Sequence, residues 1–291
     1  MKNKMLAIAP KILFDVLKLP YNTPCVVKQL LGGMSNFVVQ IIVDSKKYVI
    51  RIPYDESHLY VEFAQEKKAL ELLQNLDITS QVLYFNPHSG IRITHYIDGV
   101  VLSEFPDFKD HLNLLVDSLK ILHAVPCELK VYGYKKRLAK YEKLVKQDLD
   151  DAFYGIKKWW LGEYEETFKN TELVFSHGDI QRSNLVYTAR DIKLLDFEFS
   201  ARNSVFYDLA SFGNINFDDS IALTEAYFGH EITDEELYTL RFYRLYQVLQ
   251  WYVVATSKHE QGLDKNLNLD FSLIAKKYLE KAKVLYGLLT K

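Results

Sequence analysis

The periodicity of the hydrophobic residues changes about one third of the way along this chain of 291 residues. In the first third, short runs rich in β-branched residues are separated by turn-like segments such as "GGMSN" and "DSKK", which predicts a mostly antiparallel sheet. Beyond "DGVVL" the runs become longer and follow the 3.6-residue period of helices. We therefore predict an α+β protein with a small β-rich lobe, residues 1–96, and a larger, mainly helical lobe, residues 97–291.

The predicted elements of both lobes are bounded by turn residues and by changes of period. The predicted strands are 26–31, 37–43, 47–52, 81–85, 90–97, 173–175, 185–187 and the run "IKLLDFEF" at 192–199. The predicted helices are 57–75, 107–124, 134–153 and 156–169, followed by a helical end beyond residue 208. The β-rich first lobe thus contains one helix, and we expect a cleft between the two lobes.

The composition limits the kind of partner and the compartment. With 48% hydrophobic residues the chain can bury a large core, and its net charge of −2 provides no basic field for nucleic acid. No apolar run reaches the length of a secretory or membrane-spanning segment. The two cysteines, Cys25 and Cys127, are isolated and indicate a reducing compartment. We expect a soluble, cytoplasmic protein that binds a small molecule and neither nucleic acid nor membrane; the sequence does not define its oligomeric state.

A polar segment, "SHGDIQRSN" at 176–184, lies between the apolar runs "LVF" and "LVY". It contains Asp179 and Asn184, and Asp196 follows at the end of the apolar strand "IKLL". A hairpin through "YTARD" would return that strand to the polar segment, so that two carboxylates and an amide converge. Such oxygen ligands suit Mg²⁺, and a carboxylate beside a metal-bound phosphate can deprotonate an attacking hydroxyl. The pattern favours phosphoryl transfer, although Asp179 and Asn184 taken singly are typical of turns.

Glu66 lies in the middle of an apolar stripe on the predicted helix of the first lobe. The stripe is formed by Leu59, Phe63, Leu70 and Leu73. Because a carboxylate in such a position is costly unless it is paired, a cation must meet it from the neighbouring sheet. Arg51, on the strand "YVIRIP", is the natural candidate. Strand alternation alone would place Arg51 in solvent, whereas the position of Glu66 favours an inward ion pair.

The segments "HGDIQRSN", "LLDFEFS" and "YDLA" resemble the aminoglycoside phosphotransferase and choline kinase superfamily, whose members are related to protein kinases. The resemblance extends from about residue 25 to about residue 260. It implies a bilobal protein-kinase-like fold with ATP and Mg²⁺ as cofactors. By the same match, Asp179 is the catalytic base, and Asn184 and Asp196 hold Mg²⁺.

The resemblance also implies supporting roles for residues around the polar segment. His177 braces the loop, and Asn203 and Asp208 organise it. Glu198 reaches the metal through water and also belongs to the candidate acceptor-binding residues.

A second group of residues is implied to bind the nucleotide in the first lobe. The segment "LGGMSNFVV" resembles the hairpin that covers the phosphates, and the Arg51–Glu66 pair resembles the lysine–glutamate pair of protein kinases. The candidates are Gly32 and Gly33 at the hairpin turn, Ser35 and Asn36 as donors to phosphate, Arg51 with Glu66, and the backbone carbonyl of His95 and amide of Ile97 for adenine.

Three local features resemble choline kinases of the LicA type: "DIQ" in the polar segment, "GGMSN" in the first hairpin, and "DFEFS" followed by Asn203. The segment "LYQVLQWYVVATSKHEQG" resembles the one whose tryptophans enclose a quaternary ammonium group, an interaction of roughly 0.5–2 kcal/mol per ring. Trp251 is the candidate for this aromatic cage, with Tyr252, Phe199 and Tyr207 as neighbours.

Alternatives remain open for the cage and for the acceptor. Tyr252 belongs to a stripe at helical spacing that is typical of core, Trp251 fits core equally well, and Val254 stands where a second tryptophan is common. We predict an ATP- and Mg²⁺-dependent phosphotransferase acting on choline, with ethanolamine, thiamine or an aminoglycoside as alternative acceptors. A non-catalytic nucleotide-binding module is the alternative of a different class.

Overall fold

The computed structural model describes residues 2–30, 36–264 and 269–291. The predicted phosphate-binding residues Gly32, Gly33 and Ser35 lie outside the described residues. An antiparallel sheet forms near the N-terminus and a larger helical part follows, which confirms the α+β class. Within the described ranges, no helix combines the length and the apolar character needed to cross a membrane.

The chain divides into two compact units. The first unit comprises Met1–Leu122 and Arg182–Ser200, and the second comprises His123–Gln181 and Ala201–Lys291. The boundary between a nucleotide-binding and an acceptor-binding lobe at residues 96 and 97 stays a prediction.

The first unit contains a five-stranded antiparallel sheet and a short three-stranded one. The strands of the larger sheet are β1 (Val26–Leu30), β2 (Asn36–Val43), β3 (Lys46–Pro53), β4 (Val82–Phe85) and β5 (Arg92–His95), in the order β1-β2-β3-β5-β4. The smaller sheet joins β6 (Val100–Val101), β8 (Leu185–Tyr187) and β9 (Ile192–Leu194) in that order; β7 belongs to the second unit. Asp44 and Ser45, both with positive φ, form the tight turn between β2 and β3.

Helices of the first unit pack on and beside these sheets. They are α1 (Lys2–Leu17), α2 (Phe63–Leu73) and α3 (Leu112–His123), of which α3 ends at the border of the second unit. Ala9, Leu13 and Phe14 of α1 are buried in one core with Val39 and Ile50 of the large sheet. The sequence does not predict α1, which contains Pro10.

The second unit is mainly helical. Its elements are α4 (Tyr134–Glu142), α5 (Asp151–Glu163), the strand pair β7 (Val174–Ser176) and β10 (Ala201–Asn203), α6 (Val205–Phe212), α7 (Phe217–Phe228), α8 (Asp234–Glu260) and α9 (Phe271–Leu289). α8 begins with a capping box between Thr233 and Glu236 and packs against α9, α6 and α4. Trp160 stacks on Phe242 at 4.5 Å between ring centroids, and its Nε1 donates to the Phe242 carbonyl (2.8 Å).

Two long predicted helices are interrupted in the structure. The prediction of 57–75 is wrong before Phe63, because only a 3₁₀ turn at Ser57–Leu59 precedes α2. The prediction of one helix over 134–153 is also wrong, since α4 ends at Glu142 and α5 begins at Asp151. The Asp150 side chain accepts from the N–H of Ala152 (2.8 Å), and this N-cap starts a new helix inside the predicted one.

Candidate active site

The hairpin predicted between Asn184 and Asp196 is present. Leu185 and Leu194 are register partners in β8 and β9, and the N–H of Leu195 donates to the carbonyl of Asn184 (2.8 Å). The two candidate metal ligands therefore flank the same end of a two-stranded ladder. Asp196 has φ 68°, a left-handed conformation that costs a non-glycine residue free energy and that recurs at functional sites as well as in turns.

Arg51 lies at the centre of a buried cluster of charges in the first unit. Its NH2 pairs with Glu66, and its NH1 contacts Asp196 Oδ1 at 2.6 Å and Glu198 Oε2 at 3.4 Å. The Arg51 side chain is only 3% exposed and that of Glu66 is fully buried. The structure thus contains the ion pair predicted from the position of Glu66; its role in binding nucleotide stays a prediction.

Burial and mutual attraction act against each other in this cluster. Burial lowers the pKa of Arg51, but the Glu66, Asp196 and Glu198 carboxylates together raise it above its ordinary value. Burial and the neighbouring Asp196 carboxylate raise the pKa of Glu198 to about 8, although Arg51 acts to lower it. Glu198 also accepts a hydrogen bond from Asn36 Nδ2 (3.1 Å), so that one predicted nucleotide-binding residue contacts one predicted acceptor-side residue.

Arg92 is a member of the cluster that the sequence analysis missed. Its NH1 lies 2.6 Å from Glu66 Oε1, and its NH2 lies 3.8 Å from Asp196 Oδ1. Arg92 and Arg51 are register partners on β5 and β3, so both reach the same carboxylate of α2. The sequence places Arg92 on a predicted strand, but its partner depends on the register between strands.

The two residues predicted to contact adenine lie at the end of β5. The N–H of His95 donates to the carbonyl of Gln81 (3.0 Å), and that of Tyr96 donates to the carbonyl of Lys47 (3.0 Å). The His95 ring lies 5.5 Å from the ring of Tyr48. Adenine recognition by His95 and Ile97 stays a prediction.

The polar loop of the second unit is held by one buried carboxylate, that of Asp208 in α6. Asp208 accepts from the N–H groups of His177 and Gly178 (both 2.8 Å) and from the Ser176 hydroxyl (2.9 Å), and His123 Nε2 lies 3.1 Å away. Burial acts to raise the pKa of Asp208, but the hydrogen bond and charge of His123 lower it below its usual value. Asp208 therefore organises the loop, as predicted from the resemblance.

The environment of Asp179 is polar and ordered. Its N–H donates to His177 Nδ1 (3.2 Å), so the buried His177 braces the loop as expected. Gln181 Nε2 donates to Asp179 Oδ2 (2.8 Å), and Asn214 Nδ2 donates in turn to Gln181 Oε1 (2.9 Å). The loop therefore fixes one oxygen of the Asp179 carboxylate; that Asp179 acts on the same reaction as Asn184 and Asp196 stays a prediction.

The predicted cage residues differ in their surroundings. Trp251 is half-buried on α8, whereas Tyr252 is buried, contacts the Phe153 ring at 5.5 Å and accepts from the N–H of Asp150 (3.1 Å). Tyr207 is buried and donates to the Tyr132 hydroxyl (2.6 Å), and Phe199 is buried in the first unit. These surroundings favour core for Tyr252 and Tyr207, and their role in binding an acceptor stays a prediction.

Asn203 terminates β10 near the loop anchor. Its Oδ1 accepts from the Tyr134 hydroxyl and from the N–H of Ser204 (2.8 Å). These bonds join α4 to the start of α6, the helix that carries Asp208. A role of Asn203 in organising the loop stays a prediction.

Comparison with known proteins decides the family. Residues 26–246 match the phosphotransferase enzyme family, also called APH. The chain belongs to this family. The match spans the charge cluster of the first unit, the polar loop, the hairpin and α8 as far as Tyr246, whereas the candidate cage residues Trp251 and Tyr252 lie beyond it.

Relatives of the phosphotransferase include kinases with different names. A thiamine kinase of Escherichia coli (strain SMS-3-5 / SECEC) is 25% identical over 229 residues, which are 76% of each chain. A choline/ethanolamine kinase family protein from Mesorhizobium loti has a TM-score of 0.78 at 21% identity, covering 98% of this chain and 95% of its own. Choline kinase LicA from Streptococcus pneumoniae has a TM-score of 0.78 at 19% identity, covering 96% and 98%.

A more distant structure was solved with a nucleotide. The GDP complex of aminoglycoside 2'-phosphotransferase-IIIa has a TM-score of 0.68 at 16% identity and covers 96% of this chain and 98% of its own. These likenesses establish the protein-kinase-like fold of the phosphotransferase.

The candidate metal ligands fit Mg²⁺ by their chemistry. Asn184 and Asp196 supply an amide and a carboxylate oxygen at one end of the hairpin, and Mg²⁺ is usually held by one or two carboxylates with phosphates and water. Within the described part of the chain, no group of three or more His, Cys, Asp or Glu side chains is arranged to hold a metal by itself.

Proposed function

We propose that this phosphotransferase transfers the γ-phosphoryl group of ATP to the hydroxyl of a small cationic alcohol, and that choline is its acceptor. The observation that carries the proposal is the polar loop, in which Asp208 holds the backbone of His177 and Gly178 immediately before Asp179. A carboxylate on a loop fixed in this way is suited to accept a proton at a defined position.

Each charged residue has a part in the proposed reaction. Asp179 accepts the proton of the acceptor hydroxyl while that oxygen forms a bond to the γ-phosphorus. The bond from this phosphorus to the β-phosphate oxygen breaks, and ADP leaves. Asn184 and Asp196 would hold Mg²⁺, which when bound neutralises charge on the phosphates, and Arg51, kept in place by Glu66, would bind a phosphate oxygen.

The relatives support a cationic alcohol as the acceptor, and choline and thiamine are the two candidates to compare. Structural similarity to the relatives named for choline and ethanolamine supports choline as the acceptor. Sequence similarity to the thiamine kinase supports thiamine. Each of these three alcohols carries a positive charge. As a cage residue, the half-buried Trp251 would favour the quaternary ammonium group of choline over the primary ammonium group of ethanolamine.

An acceptor panel tests the proposal. Release of ADP from Mg·ATP would be followed with choline, ethanolamine, thiamine and kanamycin at equal concentrations. We expect the highest kcat/KM with choline and a phosphate ester as product. A higher kcat/KM with thiamine than with choline would identify thiamine as the acceptor. Binding of Mg·ATP without turnover of any alcohol would favour a non-catalytic nucleotide-binding module instead.

The isolated cysteines Cys25 and Cys127 are free thiols in the structure, which suits the cytoplasmic location that we propose for this enzyme.

A further inference from the structure

Two arginines lie side by side in the first unit, although a single arginine would be enough to pair with Glu66. Arg51 of β3 and Arg92 of β5 are register partners in adjacent antiparallel strands. Their side chains are 3% and 12% exposed. Like charges directly opposite each other in a sheet destabilise it, and burial adds to the cost. The second arginine therefore requires an explanation beyond the Arg51–Glu66 pair.

The contacts of Glu66 and Asp196 show what the second arginine does. Glu66 gives one oxygen to each arginine: Oε2 to Arg51 and Oε1 to Arg92 (2.6 Å). Asp196 Oδ1 lies 2.6 Å from Arg51 NH1 and 3.8 Å from Arg92 NH2. Two guanidinium groups and two carboxylates are thus linked in one quartet, and Glu198 Oε2 approaches it at Arg51 NH1 (3.4 Å).

The quartet must rearrange in the proposed reaction. Asp196 would turn to Mg²⁺, and Arg51 would turn one guanidinium nitrogen from Asp196 to a phosphate oxygen. If Arg51 were the only partner of Glu66, the buried Glu66 carboxylate would hold Arg51 more strongly. One oxygen of that carboxylate would also lack a partner. Arg92 is bonded to that other oxygen, so Glu66 stays paired while Arg51 changes partner.

We propose that Arg92 is a positioning residue for nucleotide binding, which acts by sharing Glu66 with Arg51. The inference rests on the proposed function, because it assigns Arg51 to the nucleotide phosphates. Arg92 acts through Glu66, and the inference requires no contact between Arg92 and the nucleotide.

The test measures the Kd of ADP by calorimetry, with and without Mg²⁺, in the wild type and in Arg92→Gln. Loss of a hydrogen bond to a buried charged group predicts a Kd raised roughly tenfold or more. Arg92→Lys keeps one cation beside Glu66 and should recover most of the affinity. The KM for ATP should rise in Arg92→Gln while the KM for the acceptor stays unchanged, a split that a general loss of stability would not produce.

A matched control removes another ion pair of the same unit. Lys193 of β9 has a side chain 9% exposed and lies 2.8 Å from Asp77 Oδ1 and 2.8 Å from Asp191 Oδ2. Lys193→Gln should lower stability without changing the Kd of ADP. Equal Kd values for Arg92→Gln and the wild type would overturn the inference and leave the proposed function standing. Absence of nucleotide binding in the wild type would overturn both.

A double-mutant cycle keeps the inference testable if Arg92→Gln alone does not fold. In Glu66→Gln the side chain no longer carries a charge that needs two cations. Adding Arg92→Gln to this variant should change the Kd of ADP by less than about twofold, because coupled residues are not additive. An undiminished tenfold effect in the Glu66→Gln background would show that Arg92 does not act through Glu66, and would overturn the inference.

Discussion

At the scale of single residues, the organisation of the polar loop depends on Asp208. Four donor groups from two chain segments converge on this one carboxylate: Ser176, His177 and Gly178 of the loop, and His123 at the end of α3. A buried carboxylate with several hydrogen bonds is favourable only while all its partners are present. The backbone before Asp179 is therefore fixed by a side chain about thirty residues further along the chain.

Asp208→Asn should weaken both the fold and the loop. The amide keeps one acceptor oxygen but places an NH₂ group against the N–H donors, so we expect the free energy of unfolding to fall by about 2–3 kcal/mol. We also expect kcat to fall while the Kd of Mg·ADP stays near the wild-type value, because the loop carries Asp179 and the nucleotide site does not include Asp208. Urea unfolding and steady-state kinetics measure these two effects. An unchanged kcat would contradict the anchoring role.

The stabilising effect of Asp208 should disappear in acid. Burial acts to raise its pKa in the folded protein, but the hydrogen bond and charge interaction with His123, the nearby His177 and the hydrogen bond from the Gly178 N–H lower it below the ordinary value. A group with a lowered pKa in the folded state contributes its stability above its unfolded pKa, about 3.9 for Asp, and loses it as the pH falls through the folded value. The stability difference between wild type and Asp208→Asn should therefore narrow as the pH falls below about 4. A difference that stays constant would show that Asp208 is not ionised in the fold.

The ion pair of Glu66 shows what can be predicted from a single residue. A carboxylate inside an apolar stripe requires a cation, and this requirement identified Arg51 correctly. Arg92 could not be found in the same way, because its contact with Glu66 depends on the pairing of β3 with β5. The local periodicity of the sequence does not predict the register between two strands that are about forty residues apart.

At the scale of elements, α8 limits what helical periodicity can predict. This helix of 27 residues is buried over most of its length, and its buried residues lie on all of its faces. A hydrophobic stripe at helical spacing therefore does not distinguish the core positions of α8 from positions that bind a ligand. Trp251 is half-buried in this helix, while Tyr252 next to it is buried and hydrogen-bonded to the N–H of Asp150, the N-cap of α5.

Trp251→Ala tests the aromatic cage. Loss of one ring from around a quaternary ammonium group should raise the KM for choline by about two- to thirtyfold, with the KM for ATP unchanged. Trp159→Ala is a matched control, because Trp159 is also half-buried and packs on the Tyr286 ring at 5.3 Å. The control should lower stability and leave both KM values unaffected. Equal rises of the two KM values in Trp251→Ala would mean that Trp251 only packs.

The N-terminal helix α1 could not be predicted because tertiary packing overrides its local sequence. Pro10 lies inside it, and proline removes a backbone donor and usually interrupts a helix. Ala9, Leu13 and Phe14 are nevertheless buried against the large sheet, and this burial compensates for the lost hydrogen bond. By contrast, the strands β1, β2 and β3 follow the predicted runs closely, since runs rich in β-branched residues favour strands.

At the scale of the whole molecule, the candidate residues are distributed over the two units. The charge cluster and hairpin are built by the first unit, and the loop with Asp179 is built by the second. If Asp196 holds Mg²⁺, binding of nucleotide and metal should be linked, and the linkage can be measured by unfolding.

Asp196→Asn should remove the effect of Mg²⁺ on nucleotide binding. In the wild type, Mg·ADP at a hundred times its Kd should stabilise the fold by about 2.7 kcal/mol, and more than ADP with a chelator at the same concentration. In Asp196→Asn the two conditions should give equal thermal unfolding. Asp191→Asn, in the turn of the same hairpin, should keep the difference. A Mg²⁺ effect that persists in Asp196→Asn would contradict the assignment of the metal ligand.

The most direct test separates chemistry from binding in Asp179→Ala. Because the base acts on the acceptor hydroxyl, we expect turnover of the best acceptor to fall by about 10²- to 10⁴-fold. The Kd of Mg·ADP, measured by calorimetry on the same preparation, should stay within about twofold of the wild type. Retained turnover in Asp179→Ala, or a parallel loss of nucleotide binding, would contradict the claim that Asp179 is the proton acceptor of a phosphotransferase.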